Sequence, residues 1–350
     1  MSWLCKLFTI FIILCPLCYG CFNGEPQTQN AVPPPAISFY YWKTTYDPGP
    51  ESLKRMNELN VNRLYLRFFE VNLNQWHEPV PHATVIFNQM PHIPVAPVIY
   101  FDLKVFAQKH LNAEKFAQNL VGRVLEMGEY HKLEFVKELH IDCDWTPSIR
   151  ENFFEFTSAV KAALPPDWEL VVTLRLDQVK NFAVTGVPAG ADKAVVMAYN
   201  MGNLRQPGAH NSILDPNVSA RYLKAGNPYP LPLDVALPLF EWIVVFNIRD
   251  EFTGLLRTVP PELFDESFCR PEGSNIYTVL QAFDTGDGWV ATPGYRLRLE
   301  DSCKDDLFAV AGLLAKAAPR SQNLIFFHLE DKIVKEWPAH ELEDIARSCR

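Results

Sequence analysis

Two aspartates stand at alternate positions in a short apolar stretch that runs from residue 136 to 145. Successive side chains of a β-strand point to opposite sides of the sheet, so alternate residues share a face. The polar residues that share one face here are His140, Asp142, Asp144 and Thr146. Two carboxylates are costly to bury without partners or a function. The stretch therefore predicts either a catalytic aspartate pair or a buried ion network.

The spacing of Asp142 and Asp144 is compatible with both interpretations. Residues two apart on a strand have Cα atoms about 6.5 to 7 Å from each other. At that separation, one carboxylate raises the pKa of the other, which would suit acid–base chemistry. Arg175, on the next predicted strand, would instead keep both aspartates ionised.

A helix is predicted to begin directly after the aspartates. Thr146 offers a hydroxyl for the N-terminal cap and Pro147 suits the first helical turn, ahead of a helix over 149–164. Polar residues at the end of a strand, just before a helix, are typical of the active-site face of βα barrels. The aspartates are therefore expected at such a face.

Predicted strands and helices alternate along the rest of the chain. The predicted strands span 37–42, 62–70, 93–100, 136–145, 168–176, 193–200, 234–242 and 323–330. Eight strands separated mostly by helices favour a single (β/α)8 TIM-type barrel over 37–350. An open doubly wound sheet is the alternative, but no glycine-rich phosphate loop follows the first strand. The turn-rich residues 246–302 predict an irregular insertion after the seventh strand.

Composition and charge narrow the class of protein. A hydrophobic content of 48% in 350 residues indicates a globular chain with a large core. The net charge of −9 argues against nucleic acid as a partner. Phe, Trp and Tyr make up 13% of the chain, which fits either a large core or a cleft that stacks on sugars.

The first 20 residues have the pattern of a lipoprotein-type signal peptide. A lysine precedes an apolar run that is too short to span a bilayer, and a small residue stands directly before Cys21. This ending resembles the bacterial lipobox. It predicts that Cys21 is lipidated and that a Pro-rich tether, 21–36, links the barrel to a membrane of the bacterial cell envelope. Ordinary secretory cleavage and an uncleaved anchor are the alternatives.

Three motifs together resemble glycoside hydrolase family 18, the chitinase-like barrels. Residues 141–145 (I-D-C-D-W) resemble that family's fourth-strand motif, D-x-x-D-x-D-x-E. Residues 197–200 (M-A-Y-N) and 236–240 (A-L-P-L-F) resemble its sixth- and seventh-strand motifs. The chain also resembles an uncharacterised group of bacterial envelope lipoproteins that carry an I-D-C-D-W-T strand and a Y-N-M-G turn. The resemblance covers roughly residues 37–335 and implies a carbohydrate substrate.

The same resemblance implies roles for individual residues. Asp142 and Asp144 match the second and third aspartates of the motif, and Tyr199 matches the tyrosine that holds the substrate's N-acetyl group. The first aspartate falls on Leu139 and the acid glutamate on Thr146. A threonine hydroxyl is too weak an acid to protonate a glycosidic oxygen near neutral pH. Either the activity is lost, or another carboxyl protonates the leaving group.

Further site candidates lie at other strand ends. The candidate replacement acids are Glu70, Glu241 and Glu330; glycosidases place two carboxyls about 5 to 9 Å apart. Other candidate substrate contacts, some equally explained by packing, are Trp42, Arg175, Asn200 and Trp242. No residue spacing predicts a metal site or a cofactor, and Cys269 and Cys303 are candidates for one disulfide.

The sequence thus favours a membrane-anchored glycan-processing glycoside hydrolase. A glycan-binding barrel that has lost its acid, and a structural barrel with a filled cleft, are the alternatives.

Overall fold

The computed structural model describes residues 33–223, 228–286 and 288–350. Residues 34–350 form one compact unit. The predicted signal peptide, Cys21 and most of the predicted tether lie outside the described residues. No helix in the described ranges is both long and apolar enough to cross a membrane.

Eight parallel strands close into a barrel, as the alternation predicts. They are β1 (Ala36–Tyr41), β2 (Leu64–Leu73), β3 (Val95–Phe101), β4 (Glu138–Asp142), β5 (Glu169–Arg175), β6 (Lys193–Met197), β7 (Leu233–Pro238) and β8 (Asn323–Phe327). Each strand pairs in parallel with its neighbour along the chain, and β8 pairs with β1 to close the ring. Strands of such a barrel are covered on both faces, which explains their nearly continuous apolar runs.

Helices connect most barrel strands. They are α1 (Pro50–Glu58), α2 (Ala113–His131), α3 (Arg150–Ala163), α4 (Leu176–Lys180), α5 (Phe182–Thr185), α6 (Pro216–Leu223), α7 (Lys304–Ala317), α8 (Asp331–Val334) and α9 (Ala339–Ser348), with 3-10 turns at Leu103–Val105 and Pro261–Phe264. Local signals set their starts. Proline occupies the first turn of α1, and the Asn112 side chain accepts a hydrogen bond from the Lys115 amide at the start of α2.

The insertion lies after the seventh strand, but it is not irregular. The predicted strand 234–242 ends at Pro238, and Trp242 begins a separate antiparallel sheet. In spatial order, its strands are Phe252–Leu256, Trp242–Phe246, Arg296–Glu300, Ile276–Val279 and Cys269–Pro271. These strands are three to five residues long, so their alternation is hard to recognise. The sheet packs around its own apolar cluster.

The barrel interior is layered. Small and apolar side chains such as Ala96, Val171 and Ile325 fill its middle. A charged layer lies towards the N-terminal ends of the strands, where Glu138, Lys193 and Asp234 are buried. The polar site candidates at the C-terminal ends of the strands lie at the mouth of the barrel, where the βα loops begin.

Two further strand pairs border the mouth. Residues Pro79–His82 pair antiparallel with the end of β2 and form a hairpin. The two-residue strands Thr45–Tyr46 and Ile86–Phe87 pair in parallel just beyond the end of β1. The chain between β2 and β3 therefore extends the wall of the barrel beyond its rim.

Candidate functional site

Asp142 is the last residue of β4 and is buried inside the mouth. The Thr173 hydroxyl on neighbouring β5 donates a hydrogen bond of 2.6 Å to its Oδ1. Burial raises the pKa of Asp142 to about 7; the Thr173 hydrogen bond opposes this rise, and the charge of Asp144 adds to it. A carboxyl with such a pKa is protonated in about half of the molecules near neutral pH.

Asp144 lies just beyond the end of β4, although the sequence predicted that the strand would continue to residue 145. Its side chain is 53% exposed, and its Oδ1 lies 3.3 Å from Nη1 of Arg175. Arg175 also donates to Asp177, at 3.1 Å, and to the Trp145 carbonyl, at 3.3 Å. Arg175 therefore holds Asp144 and not Asp142, so the predicted network that ties both aspartates to one arginine does not form.

Aromatic side chains from five strand ends contact one another at the mouth. Ring centroids lie 5.6 Å apart for Trp42 and Phe327, 6.5 Å for Trp42 and Tyr100, 5.6 Å for Tyr199 and Phe327, and 6.3 Å for Tyr199 and Phe240. We call Trp42, Tyr100, Tyr199, Phe240 and Phe327 the aromatic wall. Each of these side chains is partly exposed, so the wall presents ring surface at the mouth.

Burial and the charges of the two aspartates raise the pKa values of two tyrosines in the aromatic wall. Burial raises the pKa of Tyr199 well above its usual range, and the charges of Asp142 and Asp144 raise it further. The same causes, burial first, raise the pKa of Tyr100 to about 12. Both phenols are therefore neutral hydrogen-bond donors near the aspartates at physiological pH. Tyr40, beneath them, is buried, and its hydroxyl has no hydrogen-bond partner among the described residues.

Thr146 does not provide an acid. Its hydroxyl lies 2.9 Å from the Ser148 hydroxyl, and a hydroxyl pair has no group that ionises near neutral pH. The position that the resemblance assigns to the acid glutamate is therefore occupied by a neutral pair.

Two of the three candidate replacement carboxyls are held in ion pairs. Glu70 forms an ion pair with Arg67. Glu330 forms an ion pair with Lys43, at 2.8 Å, and lies 3.5 Å from His328. In the described part of the chain, no hydrogen bond or ion pair joins either glutamate to the two aspartates.

Glu241 is the third candidate, and its surroundings lie outside the aromatic wall. It is exposed, and partial burial of its carboxyl raises its pKa, with smaller contributions from the charges of Asp301 and Glu336. The charges that affect Glu241 thus come from the loops around α7 and α8 and not from Asp142 or Asp144.

The other predicted contacts are distributed around the rim. The Trp242 indole donates a 2.7 Å hydrogen bond to Glu300, and its ring lies 5.3 Å from that of Phe240. It therefore joins the insertion to the aromatic wall. Asn200 is exposed in a left-handed conformation (φ 54°), just beyond Tyr199. The ring of Trp145 is fully buried against Phe153 and faces away from the mouth.

His140 shares the inward face of β4 with Asp142, but its Nε2 lies 3.1 Å from Glu138 in the charged layer below the site. Cys269 is buried and Cys303 exposed, and both are free thiols, so the disulfide considered for them is absent from the structure. The described residues contain no cluster of His, Cys, Asp and Glu that could hold a metal ion.

Sequence reasoning missed Tyr100, Thr173, Phe240 and Phe327. A usable signal was present, because each lies within two residues of the end of a barrel strand. Tyr100, Thr173 and Phe327 share the alternation phase that points into the barrel. The phase could not be fixed without the strand register, which pairs Tyr100 with Asp142.

Comparison with solved structures places the fold among the chitinase-like barrels. The spore cortex-lytic enzyme SleL of Bacillus cereus matches with a TM-score of 0.52 and 14% identity over 89% of this chain and 74% of that chain. The C-terminal domain of a chitinase-designated protein from Desulfitobacterium hafniense DCB-2 matches with a TM-score of 0.53 and 10% identity over 91% and 100% of the two chains. The chitinase RmChi1 of Rhizomucor miehei matches with a TM-score of 0.50 and 11% identity over 89% and 99%.

Sequence comparison adds no closer relationship. No model of a known protein family matches the chain, and no curated protein sequence matches it. The similarity that remains is one of fold, in agreement with the resemblance of the three motifs.

Proposed function

Starting from a barrel with the fold of glycoside hydrolase family 18, we propose that this protein binds a glycan at the mouth without cleaving it. The observation that carries the proposal is the aromatic wall, two of whose tyrosines lie near Asp142 and Asp144, together with Thr146 at the position of the acid. Aromatic faces and a few polar groups suit sugar rings. Hydrolysis needs a second carboxyl close to the bond, and Glu70 and Glu330 are both held in ion pairs.

In this proposal, each polar group of the mouth has a distinct role in binding the sugar. Asp144 would accept hydrogen bonds from sugar hydroxyl or amide groups, with Arg175 fixing its position. Tyr199 would donate to a carbonyl or hydroxyl oxygen of the sugar. Trp42 would provide a stacking face. Asn200 would contact the sugar from the rim of the mouth. No cofactor enters this scheme.

Hydrolysis is the second candidate, and one observation favours it. With a pKa of about 7, Asp142 carries a proton in part of the molecules at neutral pH, as a general acid requires. In this alternative, Asp142 would give its proton to the glycosidic oxygen as the bond between that oxygen and the anomeric carbon breaks. A water would add to the anomeric carbon in place of the leaving sugar, and the Asp144 carboxylate would accept a proton from that water.

We also infer that the protein is a lipoprotein of the bacterial cell envelope, anchored through Cys21. The support is the sequence pattern of residues 1–21.

The first experiment incubates the purified protein with N-acetylated and plain oligosaccharides. It measures binding by calorimetry and released reducing ends by a colour assay. Asp144→Asn is compared with Asp177→Asn, a matched control that removes an exposed carboxylate also contacting Arg175. Binding without release, weakened only by Asp144→Asn, supports the binding function. Release that disappears in Asp144→Asn supports hydrolysis. If the native protein neither binds nor cleaves any of the sugars, both candidate functions are wrong.

A further inference from the structure

We propose that Glu300, inside the insertion, is a positioning residue for Tyr199 and Asn200 at the mouth. The inference rests on the proposed function, in which these two side chains contact the glycan. Glu300 is only 1% exposed, so it does not touch a sugar itself. Its carboxylate instead holds two residues, Ser212 and Trp242, that connect it separately to Tyr199.

The first connection is made by Ser212, in the loop between β6 and α6. The Oε2 atom of Glu300 accepts hydrogen bonds from the Ser212 amide, at 3.0 Å, and from the Ser212 hydroxyl. The Ser212 carbonyl in turn accepts from the amides of Met201, at 3.0 Å, and Gly202, at 3.2 Å. The position of Ser212, which Glu300 fixes, therefore determines the position of the two residues that follow Asn200.

The turn after Tyr199 packs directly against the same loop. A Cβ atom on Gly202 would lie 2.6 Å from the Cα atom of Ser212, closer than real Cβ atoms approach. The Asn200 amide donates to the Ile213 carbonyl at 2.9 Å, and Asn200 adopts a left-handed conformation (φ 54°). This conformation is uncommon outside glycine, and surrounding contacts must maintain it. Residues 212 and 213 provide those contacts and so set the direction of the Asn200 side chain.

The second connection is made by Trp242, at the start of the inserted sheet. Its indole nitrogen donates to the same Oε2 atom of Glu300 at 2.7 Å. The Trp242 ring lies 5.3 Å from that of Phe240, which lies 6.3 Å from that of Tyr199. Rings at such centroid distances pack against each other. Glu300 therefore supports the Tyr199 ring through its neighbours as well as the backbone that follows it.

Arg298 keeps the carboxylate of Glu300 in place. Its Nε atom donates to Oε1 of Glu300 at 2.6 Å. Its guanidinium also donates to carbonyls of the loop after β6, to Gln206 at 2.6 Å and to Gly208 at 3.1 Å. Hydrogen bonds to a charged group are stronger than neutral ones, and a buried site strengthens them further. A mouth held in this way loses less freedom when the glycan binds, so more of the contact energy appears as affinity.

The test uses Ser212→Ala in the full chain, because this change removes one hydrogen bond to Glu300 and leaves the ion pair with Arg298 intact. Ser321→Ala is the matched control. Ser321 is as buried as Ser212, and its hydroxyl donates to the Asn323 carbonyl at 3.0 Å, at the end of the barrel opposite the mouth. Ser212→Ala is expected to weaken binding of an N-acetylated oligosaccharide by about threefold to tenfold, and Ser321→Ala to leave it unchanged. Urea unfolding checks that both variants are folded.

Two further readouts distinguish positioning from support of the fold. In protein with isotope-labelled tyrosine, Ser212→Ala is expected to shift the nuclear magnetic resonance signal of the Tyr199 ring, which is identified by its loss in Tyr199→Phe. Ser321→Ala is expected not to shift it. The losses of affinity in Ser212→Ala and Tyr199→Phe should be less than additive, because both changes act on the same contact. Trp242→Phe, which removes the other donor to Glu300 but retains a ring, should give the same two results.

The outcomes separate this inference from the proposed function. If the native protein binds the sugar, and Ser212→Ala and Trp242→Phe change neither its affinity nor the Tyr199 signal, Glu300 supports only the fold. The inference is then wrong and the proposed function stands. Additive losses would mean that Glu300 acts on a different contact, and they would also overturn the inference. If the native protein binds no sugar but the Tyr199 signal still shifts, the proposed function is wrong and the positioning of Tyr199 by Glu300 stands.

Discussion

Asp142 and Asp144 are two residues apart, yet their surroundings differ. Asp142 is buried beside the Thr173 hydroxyl, whereas Asp144 is half-exposed beside Arg175. Burial disfavours the ionised form of Asp142, and the Arg175 guanidinium holds the Asp144 carboxyl in place. The pair therefore combines a buried carboxyl that is partly protonated at neutral pH with a half-exposed carboxyl that an arginine contacts. Such a pair suits binding of an amide or hydroxyl as well as acid–base chemistry.

The pKa of Asp142 predicts a pH-dependent stability. Between its ordinary pKa of 3.8 and the folded value of about 7, the folded state keeps a proton that the unfolded state releases. The free energy of unfolding contributed by this group therefore falls as pH rises through that window. Asp142→Asn still accepts from Thr173 but cannot ionise. We expect the free energy of unfolding of this variant, measured relative to that of the native protein, to increase by about 1 to 3 kcal/mol as pH rises from 4 to 7.

Urea unfolding at several pH values measures that gain. The control is Asp177→Asn, which makes the same change of a carboxylate to an amide at a partly exposed position that also contacts Arg175. A constant difference between Asp142→Asn and the native protein across the window would show that Asp142 is not protonated in the folded state.

Thr146→Glu is predicted to create hydrolysis. The substitution puts a carboxyl at the position that the resemblance assigns to the acid. A positioned general acid contributes about a hundredfold or more in rate. We expect the variant to release reducing ends from a bound N-acetylated oligosaccharide at least about a hundred times faster than Thr146→Gln, which matches it in size but cannot donate a proton of the required acidity. The rate is followed with the same colour assay.

A folded Thr146→Glu that binds the sugar but cleaves it no faster than Thr146→Gln would contradict this assignment. It would mean that residues 142–146 do not surround the scissile bond. The missing first aspartate, replaced by Leu139, would then have to be considered together with Thr146.

At the scale of elements, local patterns predicted the barrel strands better than their ends. Apolar runs and helix signals located β4 and α3, because both are coded by neighbouring residues. The end of β4 at Asp142 and the break after Pro238 were not predictable, since ladder pairing with neighbouring strands decides where a strand stops. The aspartate pair was predictable from alternation. The aromatic wall was not, because its rings come from five strand ends that only the closed barrel brings together.

The insertion depends on one buried ion pair at its base. Arg298 and Glu300 are both almost fully buried, with Nε and Oε1 2.6 Å apart. The second oxygen of Glu300 accepts from the Trp242 indole at 2.7 Å and from the Ser212 amide at 3.0 Å. Glu300 therefore links the inserted sheet both to the loop after β6 and to the edge of the aromatic wall.

Glu300→Ala is predicted to destabilise the protein by about 3 to 5 kcal/mol, because it leaves the buried Arg298 charge without its carboxylate counter-charge. Asp250→Ala removes the partner of Arg296, a partly exposed pair, and is expected to cost less than about 1 kcal/mol. The double variant Arg298→Met with Glu300→Leu should recover much of the loss. Denaturant unfolding measures all three. A loss below about 1 kcal/mol for Glu300→Ala would show that the pair does not support the insertion.

At the scale of the whole molecule, the two ends of the barrel differ in composition: one holds a buried charged layer and the other holds the mouth. The end opposite the mouth is closed by a charged layer whose members come from separate strands or their approaches: Arg63, Glu138, Lys193, Asp234 and Asn323. Glu138 lies 3.1 Å from Lys193, and Lys193 lies 3.3 Å from Asp234. Residues at this end of such a barrel typically serve stability, and those at the mouth serve function.

Acid should therefore unfold the protein through this layer without involving the mouth. Burial alone would raise the pKa of Glu138, but the hydrogen bond with His140 and the charge of Lys193 outweigh it and lower the pKa from 4.5 to about 2. A lowered pKa stabilises the folded state above the unfolded value, and this contribution is lost as pH falls towards 2. We expect the native protein to lose about 3 kcal/mol over that window through Glu138.

Glu138→Gln tests the division between the two ends, because it removes the titrating group and retains its shape. The variant should be less stable than the native protein at pH 7, and the difference should shrink as pH falls from 4.5 to 2. At pH 7, where both proteins are folded, its affinity for the glycan should equal that of the native protein, since the mouth lies at the other end of the barrel. A stability difference that stays constant in acid would place the acid-labile contact elsewhere. A loss of glycan affinity in the folded variant would mean that the charged layer also positions Asp142, two residues along β4 from His140.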